Sequence, residues 1–252
     1  MKSDVLKPSP MIACKADLNK IDRYLWNVLY TKAYDHLKSK DVFEVSEQIL
    51  LGYFPYETRN IEHLKAALKH LTGTLVEYNY LNKDKRNVWG CFTLLGSARL
   101  ENGMCTYSYA PDLRKMLDNE LMYAKISLLI SQKFNSKYSL ILYELTCDYQ
   151  GIGKIPWMDL EHFRGLMGIQ KEEYPRFNNL KAWVITPALN EVNEKSNWLL
   201  KLETKRTGRS ISHIMFWIAS NKNYQAEIPL FEPTNTNKIA QIKNQLKVNN
   251  HE

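Results

Sequence analysis

The fold of this 252-residue chain is decided by one stretch of sequence, Phe177-Asn-Asn-Leu-Lys-Ala-Trp-Val-Ile-Thr-Pro-Ala-Leu-Asn-Glu-Val-Asn193, and by the residues that follow it. Apolar residues recur in this stretch at helical spacing and predict one buried face: Phe177, Leu180, Val184, Ala188 and Val192. Two strand-like runs come next, Trp198 to Thr204 and Ser210 to Ile218, joined by the turn Lys205-Arg-Thr-Gly208. A helix followed directly by a hairpin predicts the second part of a winged helix.

The residues before this stretch supply the remaining elements of such a unit. A helix is predicted from Tyr138 to Gly151, and Ile155-Pro-Trp157 is a short extended piece. A short helix follows from Asp159, which can cap it, to Leu166. Gly168 and the stretch from Glu172 to Pro175 then break the chain before the long helix.

The first half of the chain repeats this order of elements. A helix is predicted from Asp17 to Ser39, a strand at Val42 to Val45, a short helix that Ser46 caps, and another helix from Ile61 to Gly73. Strand-like runs then cover three segments: Thr74 to Tyr80, Val88 to Leu100 and Met104 to Tyr109. The Asn102-Gly103 dipeptide between the last two runs is typical of a tight hairpin turn.

The sequence therefore predicts an α+β protein with two tandem winged-helix domains, each a helix-turn-helix with a β-hairpin. The first domain is expected at residues 10–134, the second at 135–220, and a polar tail at 221–252. Residues 1–10 are expected to form a loose lead-in. A longer helix is expected from Met122 to Phe134.

Composition indicates an ordinary globular protein with a mild basic excess. The formal net charge is +7 and the pI is about 9.0, which permits a polyanionic partner without requiring one. No apolar run approaches the ~20 residues that span a bilayer, so a cytoplasmic protein without membrane association is expected. The cysteines, Cys14, Cys91, Cys105 and Cys147, form no CxxC pair and are expected to be reduced, packed thiols.

The motifs of common catalytic sites are missing from the sequence. No G-x-x-x-x-G-K-[ST] loop exists, and Gly151-Ile-Gly-Lys154 is too short for one and predicts a turn. The six histidines never form H-x-H or H-E-x-x-H, whereas rolling-circle nicking enzymes place two metal-binding histidines one residue apart. We therefore expect no catalytic activity, no cofactor and no bound metal.

The polar face of the long helix offers side chains that can contact bases. A winged helix lays this helix in the major groove. Opposite the apolar face lie Asn178, Asn179, Ala182, Thr186, Asn190 and Asn193. Asparagine can bond adenine through two hydrogen bonds, and threonine can bond a base or touch a thymine methyl group. Lys181 lies to one side, within reach of a phosphate or a guanine. A merely solvated polar face is the alternative.

The hairpin after the long helix carries a concentration of cations. They are Lys201, Lys205, Arg206 and Arg209, with Glu203 as the acid among them. Gly208 allows the positive φ that a tight turn needs. Such concentrated charge suits phosphates or a narrow minor groove, and a solvated loop is the alternative.

The corresponding helix of the first half offers His63, Lys65, Lys69 and His70 on its polar face. The loop from Lys83 to Arg86, with Lys85 and Arg86 as its DNA contacts, is the expected wing. The two histidines are interpreted as surface residues rather than metal ligands.

Several segments match the pattern of a known family. They are Phe134-Asn-Ser-Lys-Tyr-Ser-Leu-Ile-Leu-Tyr-Glu-Leu145, then Tyr174, Phe177, Leu180-Lys181, Val184, Pro187-Ala188 and Glu191-Val-Asn193, then Gly208-Arg209 with Ile214 and Phe216, and upstream Tyr107-Ser-Tyr-Ala-Pro-Asp-Leu-Arg114. With these residues the chain resembles the family of iteron-binding plasmid replication initiators, over roughly residues 10–220.

The resemblance implies two winged-helix domains that bind directly repeated DNA sites, iterons, at a bacterial plasmid origin. It implies that the first domain also forms a dimer interface. Monomers would open the origin and attract the host initiator and replicative helicase, whereas dimers would repress the protein's own gene.

One departure from the family pattern concerns the residues after Lys181. Members often carry basic residues there, but this chain has Ala182 and Trp183. Contacts with bases are therefore expected to shift toward Asn178, Asn179 and Thr186. Trp183 could contact a sugar or pack on the hairpin, and packing is the favoured interpretation.

Two other classes of protein remain as alternatives. A winged-helix transcription regulator would bind a palindromic operator and have no role in replication. A nuclease would need a cluster of acidic or histidine ligands, and no such cluster is evident in the sequence.

Overall fold

The structure is a computed structural model that describes residues 4–12, 14, 16–54, 59–81, 87–118, 123–170 and 172–224. The helices of these residues are α1 (Ser9–Ile12), α2 (Lys20–Ala33), α3 (Glu47–Gly52), α4 (Ile61–Gly73), α5 (Pro111–Asp118), α6 (Leu128–Lys133), α7 (Lys137–Tyr149), α8 (Leu160–Leu166), α9 (Phe177–Leu180) and α10 (Thr186–Lys195). The strands are β1 (Asp4–Pro8), β2 (Val42–Ser46), β3 (Leu75–Leu81), β4 (Asn87–Thr93), β5 (Ser97–Glu101), β6 (Met104–Ser108), β7 (Tyr123–Ser127), β8 (Lys154–Asp159), β9 (Trp198–Thr207) and β10 (Ser210–Ser220).

The first winged helix consists of α2, α3, α4 and the antiparallel sheet β2-β6-β5. Ser46 ends β2 and caps α3, because its hydroxyl accepts a hydrogen bond from the Ile49 amide at 3.4 Å. Asn60 caps α4 in the same way, with its side-chain oxygen 2.9 Å from the His63 amide. The last strand of the hairpin, β6, lies in the middle of the sheet, and the outer strands β2 and β5 contact the helices.

A second hairpin, β3-β4, is inserted between α4 and β5 and forms its own two-stranded sheet. The expected single strand from Val88 to Leu100 is therefore wrong, because the chain changes sheets at residues 94–96. Leu94 and Leu95 are both buried, which breaks the in-out alternation of a strand. At Gly96 a Cβ would lie 3.1 Å from the Tyr109 carbonyl oxygen, so the close approach of these two backbone segments favours glycine.

The second winged helix repeats this topology with α7, α8, residues 177–195 and the sheet β8-β10-β9. Asp159 caps α8, since its carboxylate accepts from the His162 amide at 2.7 Å. Gly153 has φ 75°, so the Gly151 to Lys154 segment forms the turn that the sequence predicts. The expected pair of tandem winged helices is confirmed.

Residues 4–12 belong to the folded core. Strand β1 pairs antiparallel with β7, from Asp4 opposite Ser127 to Pro8 opposite Tyr123. The expected loose lead-in is therefore wrong for residues 4–10. The expected helix from Met122 to Phe134 is wrong over Tyr123–Ser127, which form β7, and is confirmed over Leu128–Lys133, which form α6. Residues of β7 alternate between buried and open positions, and pairing with a strand over a hundred residues away overrides any local helical tendency.

Helix α7 is the shared core of the two domains. Its residues 139–147 are all buried, whereas the sequence predicts one apolar face. The helix contacts α1, α2 and β7 of the first half, and α10 and β8 of the second. A helix that is buried on every side explains why a single hydrophobic core runs through both halves.

Four buried polar side chains, here called the interdomain cluster, join the two halves at α7: Lys7, Arg23, Asn27 and Glu144. Glu144 accepts hydrogen bonds from Lys7 Nζ at 3.0 Å, Arg23 Nε at 2.7 Å and Asn27 Nδ2 at 2.7 Å. Burial favours the neutral carboxyl, but Arg23 and Lys7 hold the pKa of Glu144 below its ordinary value. Charged groups from β1, α2 and α7 thus meet at one buried point.

Candidate nucleic-acid interface

The recognition helix of the second domain, residues 177–195, begins after a turn that neighbouring helices hold in place. Arg164 on α8 donates to the Glu173 carbonyl at 2.7 Å and to the Tyr174 carbonyl. Tyr174 has φ 48°, a left-handed conformation that residues other than glycine rarely adopt. Lys137 on α7 donates to the Gly168 carbonyl at 3.0 Å. Arg164 and Lys137 therefore position the start of the helix, a role that no sequence pattern indicates.

The recognition helix widens in its middle. Residues 181–185 form a π-helical segment, in which the Thr186 amide donates to the Lys181 carbonyl. Pro187 has no amide hydrogen, and its ring would clash with the carbonyl of Trp183 in a regular helix. The expected helix from Asn178 to Asn193 is confirmed, and one turn of it, residues 181–185, is π-helical rather than α-helical. Segments of this kind occur frequently at functional sites.

The side chains expected to contact bases lie on the open side of the recognition helix. Asn178, Asn179, Lys181 and Thr186 are all exposed, as is Asn190. On the opposite side Leu180, Val184 and Val192 are completely buried, so the helix turns its polar face to solvent. The geometry leaves this face open to a partner; contact of these residues with DNA stays a prediction.

Asn193 is an exception to the predicted polar face. Its side-chain nitrogen donates to the Leu200 carbonyl at 3.1 Å, and its side-chain oxygen accepts from the Leu200 amide at 2.6 Å. Both bonds tie α10 to the first strand of the following hairpin. Asn193 therefore fixes the hairpin relative to the helix, and its placement on a free polar face is wrong.

Trp183 is also placed differently from expectation. Its side chain is 68% exposed on the open side of the recognition helix, beside the exposed Ala182. The favoured interpretation, in which Trp183 packs on the hairpin, is therefore wrong. The widened turn carries the indole outward.

The hairpin β9-β10, here called the second wing, is longer than predicted. Thr207 pairs with Ser210, so the turn consists of Gly208 and Arg209 alone. Gly208 has φ 62°, a conformation suited to glycine in a two-residue hairpin turn. Lys205, Arg206 and Arg209 are all exposed near this tip.

The acid of the second wing is bound away from the tip. Glu203 accepts a hydrogen bond from Trp217 Nε1 at 2.6 Å, and Lys154 lies 5.6 Å from the centre of the same indole. Among the described residues, no acidic group lies within ion-pair distance of Lys205, Arg206 or Arg209. The tip thus presents uncompensated positive charge, as a phosphate-binding hairpin requires.

The recognition helix of the first domain, α4, has a less basic face. His63, Lys65 and Lys69 are exposed as expected. Lys65 donates to Glu62 at 2.8 Å, so this acid partly neutralises the face. His70 Nδ1 lies 2.6 Å from an oxygen of Asp22, which fastens α4 to α2.

Topology assigns the wing of the first domain to β5-β6. These strands occupy the sheet positions that β9 and β10 occupy in the second domain. Their turn is Asn102-Gly103, and Arg99 pairs with Glu101 at 3.2 Å. The Lys83 to Arg86 loop, which the sequence suggests as a possible wing, instead joins β3 and β4 and lies outside the described residues. Lys85 and Arg86 lie outside the described residues, and their contact with DNA stays a prediction.

Other chemistry of the described part of the chain is limited. It contains no group of three or more histidine, cysteine or acidic side chains placed to hold a metal ion. Its four cysteines are free thiols, of which Cys105 and Cys147 are buried, but Cys91 is exposed and does not fit the expected packed state. No helix within the described ranges has the length and apolar character that crossing a membrane requires.

Fold and interface together define a class, a tandem winged-helix protein with a polar recognition helix and a cationic wing in its second domain. Comparison with family models makes the assignment specific. The model described as "Initiator Replication protein, WH1" matches residues 4–147, and that described as "Initiator Rep protein, WH2" matches residues 159–218. The chain belongs to the initiator Rep protein family. Initiation of plasmid DNA replication by a DNA-binding protein is the function that this membership supports.

A search of solved structures found a chain described as RctB domains 2-3. It is 9% identical in sequence, with a TM-score of 0.44 over 78% of the present chain and 81% of the RctB chain. A search of curated protein sequences found no match.

Proposed function

We propose that this protein initiates plasmid replication by binding directly repeated sites, iterons, at the plasmid origin. The observations that carry the proposal are the exposure of Asn178, Asn179, Lys181 and Thr186 on the recognition helix, and the uncompensated cations at the tip of the second wing. Amide and hydroxyl side chains pair with base edges, and the wing cations pair with phosphates. Side chains for sequence readout and for attachment to the DNA backbone are thus both available in the second domain.

The two domains contribute unequally in this proposal. The second domain contacts the main part of each repeat through its recognition helix and through Lys205, Arg206 and Arg209. The first domain contacts an adjacent part of the repeat with His63, Lys65 and Lys69. Because Glu62 pairs with Lys65 and the β5-β6 turn carries no cation, this second contact is the weaker one.

Binding measurements test the proposal directly. The protein is titrated onto a duplex that carries the tandem repeats of its own plasmid origin, and onto a random duplex of equal length at the same salt concentration. We expect binding to the repeats to be tighter by a factor of about 1,000 or more, as is typical of specific recognition. Equal affinity for both duplexes would contradict the proposal.

Two further experiments separate the alternatives. The gene and its flanking DNA are cloned into a plasmid that lacks an origin; stable replication supports an initiator, and its failure supports a transcription regulator. We also propose that the protein has no catalytic activity of its own. Nicks in supercoiled DNA after incubation with the protein and Mg²⁺ would contradict this part.

The proposal includes control by self-association. Monomers bind the repeats and recruit the host initiator and replicative helicase, whereas dimers repress the protein's own gene. Family membership supports this part of the proposal. Sedimentation at decreasing concentration, combined with gel shifts, should show that the monomer fraction rises on dilution and that monomers bind the repeats better. A mass that does not change on dilution, or repeats bound mainly by dimers, would exclude this form of control.

A further inference from the structure

The most exposed large apolar side chain of the described residues is Trp183, with 68% of its surface open to solvent. Isolated exposed apolar side chains are ordinary on protein surfaces. Trp183 differs because it lies among polar side chains on the open side of the recognition helix, between Lys181 and Thr186. Tryptophan is usually well buried, so its exposure on this face makes Trp183 a candidate contact for a partner.

The backbone holds this side chain outward. Pro187 prevents a regular hydrogen bond to the Trp183 carbonyl, and the turn from Lys181 to Ile185 is wide as a result. Leu180 and Val184, which flank this part of the helix, are completely buried and anchor it to the domain core. Trp183 thus follows a turn whose apolar side chains are already packed, and its own side chain stays exposed.

The chemistry of the major groove limits what an indole can contact there. Base edges in this groove present hydrogen-bond donors and acceptors, and the one apolar group is the 5-methyl group of thymine. An indole ring offers a large apolar surface and a single N–H donor. Its surface therefore matches thymine better than any other base.

We infer that Trp183 is a specificity-determining residue that selects thymine in each bound repeat through apolar contact with the 5-methyl group. The inference rests on the proposed function, because it requires the recognition helix to enter the major groove. Asn179 and Thr186, exposed on the same helix, contact the neighbouring bases.

The first test changes the DNA and leaves the protein intact. A duplex is first selected by the wild-type protein from a random-sequence pool, and each of its thymines is then replaced in turn by deoxyuridine, which lacks only the methyl group. We expect one or two replacements to lower the affinity about four-fold, the equivalent of one buried methyl group at about 0.8 kcal/mol. Equal affinity after every replacement would overturn the inference.

The second test changes the protein. Trp183→Ala should lower the affinity for the selected duplex about 30-fold, as for a buried aromatic anchor, and should lose the distinction between thymine and deoxyuridine. Trp183→Phe keeps an aromatic surface and should retain part of that distinction. Trp157→Ala, which removes a 41% exposed tryptophan from β8, is the matched control and should leave it unchanged.

The outcomes separate this inference from the function on which it rests. If the wild-type protein enriches no sequence from the pool, the proposed function fails and the inference fails with it. If the wild-type protein enriches a sequence and Trp183→Ala enriches the same one with the same response to deoxyuridine, the inference alone is overturned.

Discussion

At the scale of single residues, the interdomain cluster is notable because it buries three charged side chains that must compensate one another. Two cations, Lys7 and Arg23, share one carboxylate, Glu144, in a site that is closed to water. A buried charge is tolerated only when it is paired and hydrogen-bonded, and Glu144 is the partner of both cations. Lys7 also lies 5.2 Å from the centre of the Trp26 ring, which adds a favourable contact for its charge.

Removal of the shared charge should therefore be costly. Glu144→Gln leaves Lys7 and Arg23 without their counter-ion, and we expect the free energy of unfolding to fall by about 3–5 kcal/mol. Urea denaturation followed by circular dichroism measures this change. Glu62→Gln, which removes an acid of an exposed ion pair on α4, is the control and should cost less than about 1 kcal/mol. A similar small loss in both variants would show that the cluster does not stabilise the fold.

The cluster should also make stability depend on alkaline pH. Burial lowers the pKa of Lys7 from 10.5 to about 8, with Glu144 opposing this effect and Arg23 adding to it. The folded state therefore releases the Lys7 proton at lower pH than the unfolded state does. Between the folded-state pKa of about 8 and the ordinary value of 10.5, the unfolded state binds more protons than the folded state, so the free energy of unfolding rises with pH.

Comparison with Lys7→Met isolates this contribution. From about pH 8 to pH 9.5 we expect the stability of the wild-type protein, relative to Lys7→Met, to rise by about 1–2 kcal/mol. The pH range stays below the ordinary tyrosine pKa of about 10. Burial raises the pKa of Tyr107 and other tyrosines, so above that pH their ionisation in the unfolded state would lower the stability of the fold. Urea titrations at several pH values measure the difference; a constant difference would exclude a buried, titrating Lys7.

At the scale of elements, the two winged helices share a topology but not a surface. The second wing has ten- and eleven-residue strands and an uncompensated cationic tip, whereas the first has five-residue strands and an internal ion pair. Phosphate contacts supply most of the affinity for DNA. The second domain is therefore expected to dominate binding.

Charge removal at the second wing tests this expectation. Arg206→Ala and Arg209→Ala should each weaken binding to all DNA sequences by a similar factor, and each should lower the slope of log affinity against log salt by about one. Affinity measurements at several salt concentrations give this slope. Lys38→Ala, an exposed lysine of the first domain, is the control and should leave it unchanged. A loss confined to one DNA sequence would assign the arginines to base contacts instead.

The widened turn of the recognition helix gives a second prediction at this scale. Pro187→Ala supplies an amide that can donate to the Trp183 carbonyl, so a regular turn is expected to form. Stability should be unchanged or should rise by up to about 3 kcal/mol, because alanine suits a helix better than proline. The preferred DNA sequence should change, since residues 181–183 would rotate relative to Thr186.

Thermal melts and selection from random DNA measure both effects of Pro187→Ala. Pro111→Ala is the matched control. Pro111 occupies the first position of α5, where a backbone amide would have no hydrogen-bond acceptor within the helix. It should leave the DNA preference unchanged. An unchanged preference in Pro187→Ala as well would show that the wide turn does not set the readout.

At the scale of the whole molecule, the two domains are parts of one folded body. Helix α7 is covered by both halves, and the recognition helix is tied to the junction between them. Glu191 on α10 accepts from the Asn135 amide at 2.7 Å, and Lys195 donates to the Lys133 carbonyl at 3.1 Å. The orientation of the DNA-facing surface therefore depends on packing between the domains.

The shared core predicts that the second domain is not stable alone. Residues 135–224 by themselves would expose Leu140, Tyr143 and Glu144 of α7 to water. We expect this fragment to lack the near-ultraviolet circular dichroism of a packed core or to aggregate, because one face of its central helix has lost its cover. Residues 1–224 retain every described contact and should unfold like the full chain. A cooperative transition of the fragment at wild-type stability would contradict a shared core.

The sequence by itself determined the order of the main elements within each winged helix, the helix caps and the pairing of two such units. These features depend on short-range patterns: apolar residues at helical spacing, Ser46 and Asp159 before helices, and Gly208 in a turn. The same patterns placed Lys181, Thr186, Arg206 and Arg209 on open surfaces, because a residue opposite an apolar stripe must face solvent.

Only the tertiary structure decided which distant segments meet. Pairing of β1 with β7, burial of α7 on all sides and the meeting of Lys7 with Glu144 join segments that are more than a hundred residues apart along the chain. The sequence did not identify β5-β6 as the topological wing of the first domain for the same reason, because the order of strands in a sheet depends on residues that are far apart along the chain. Trp183 was misjudged because its exposure depends on the backbone hydrogen bonds around Pro187, and these follow from packing of the whole helix rather than from the spacing of its apolar residues.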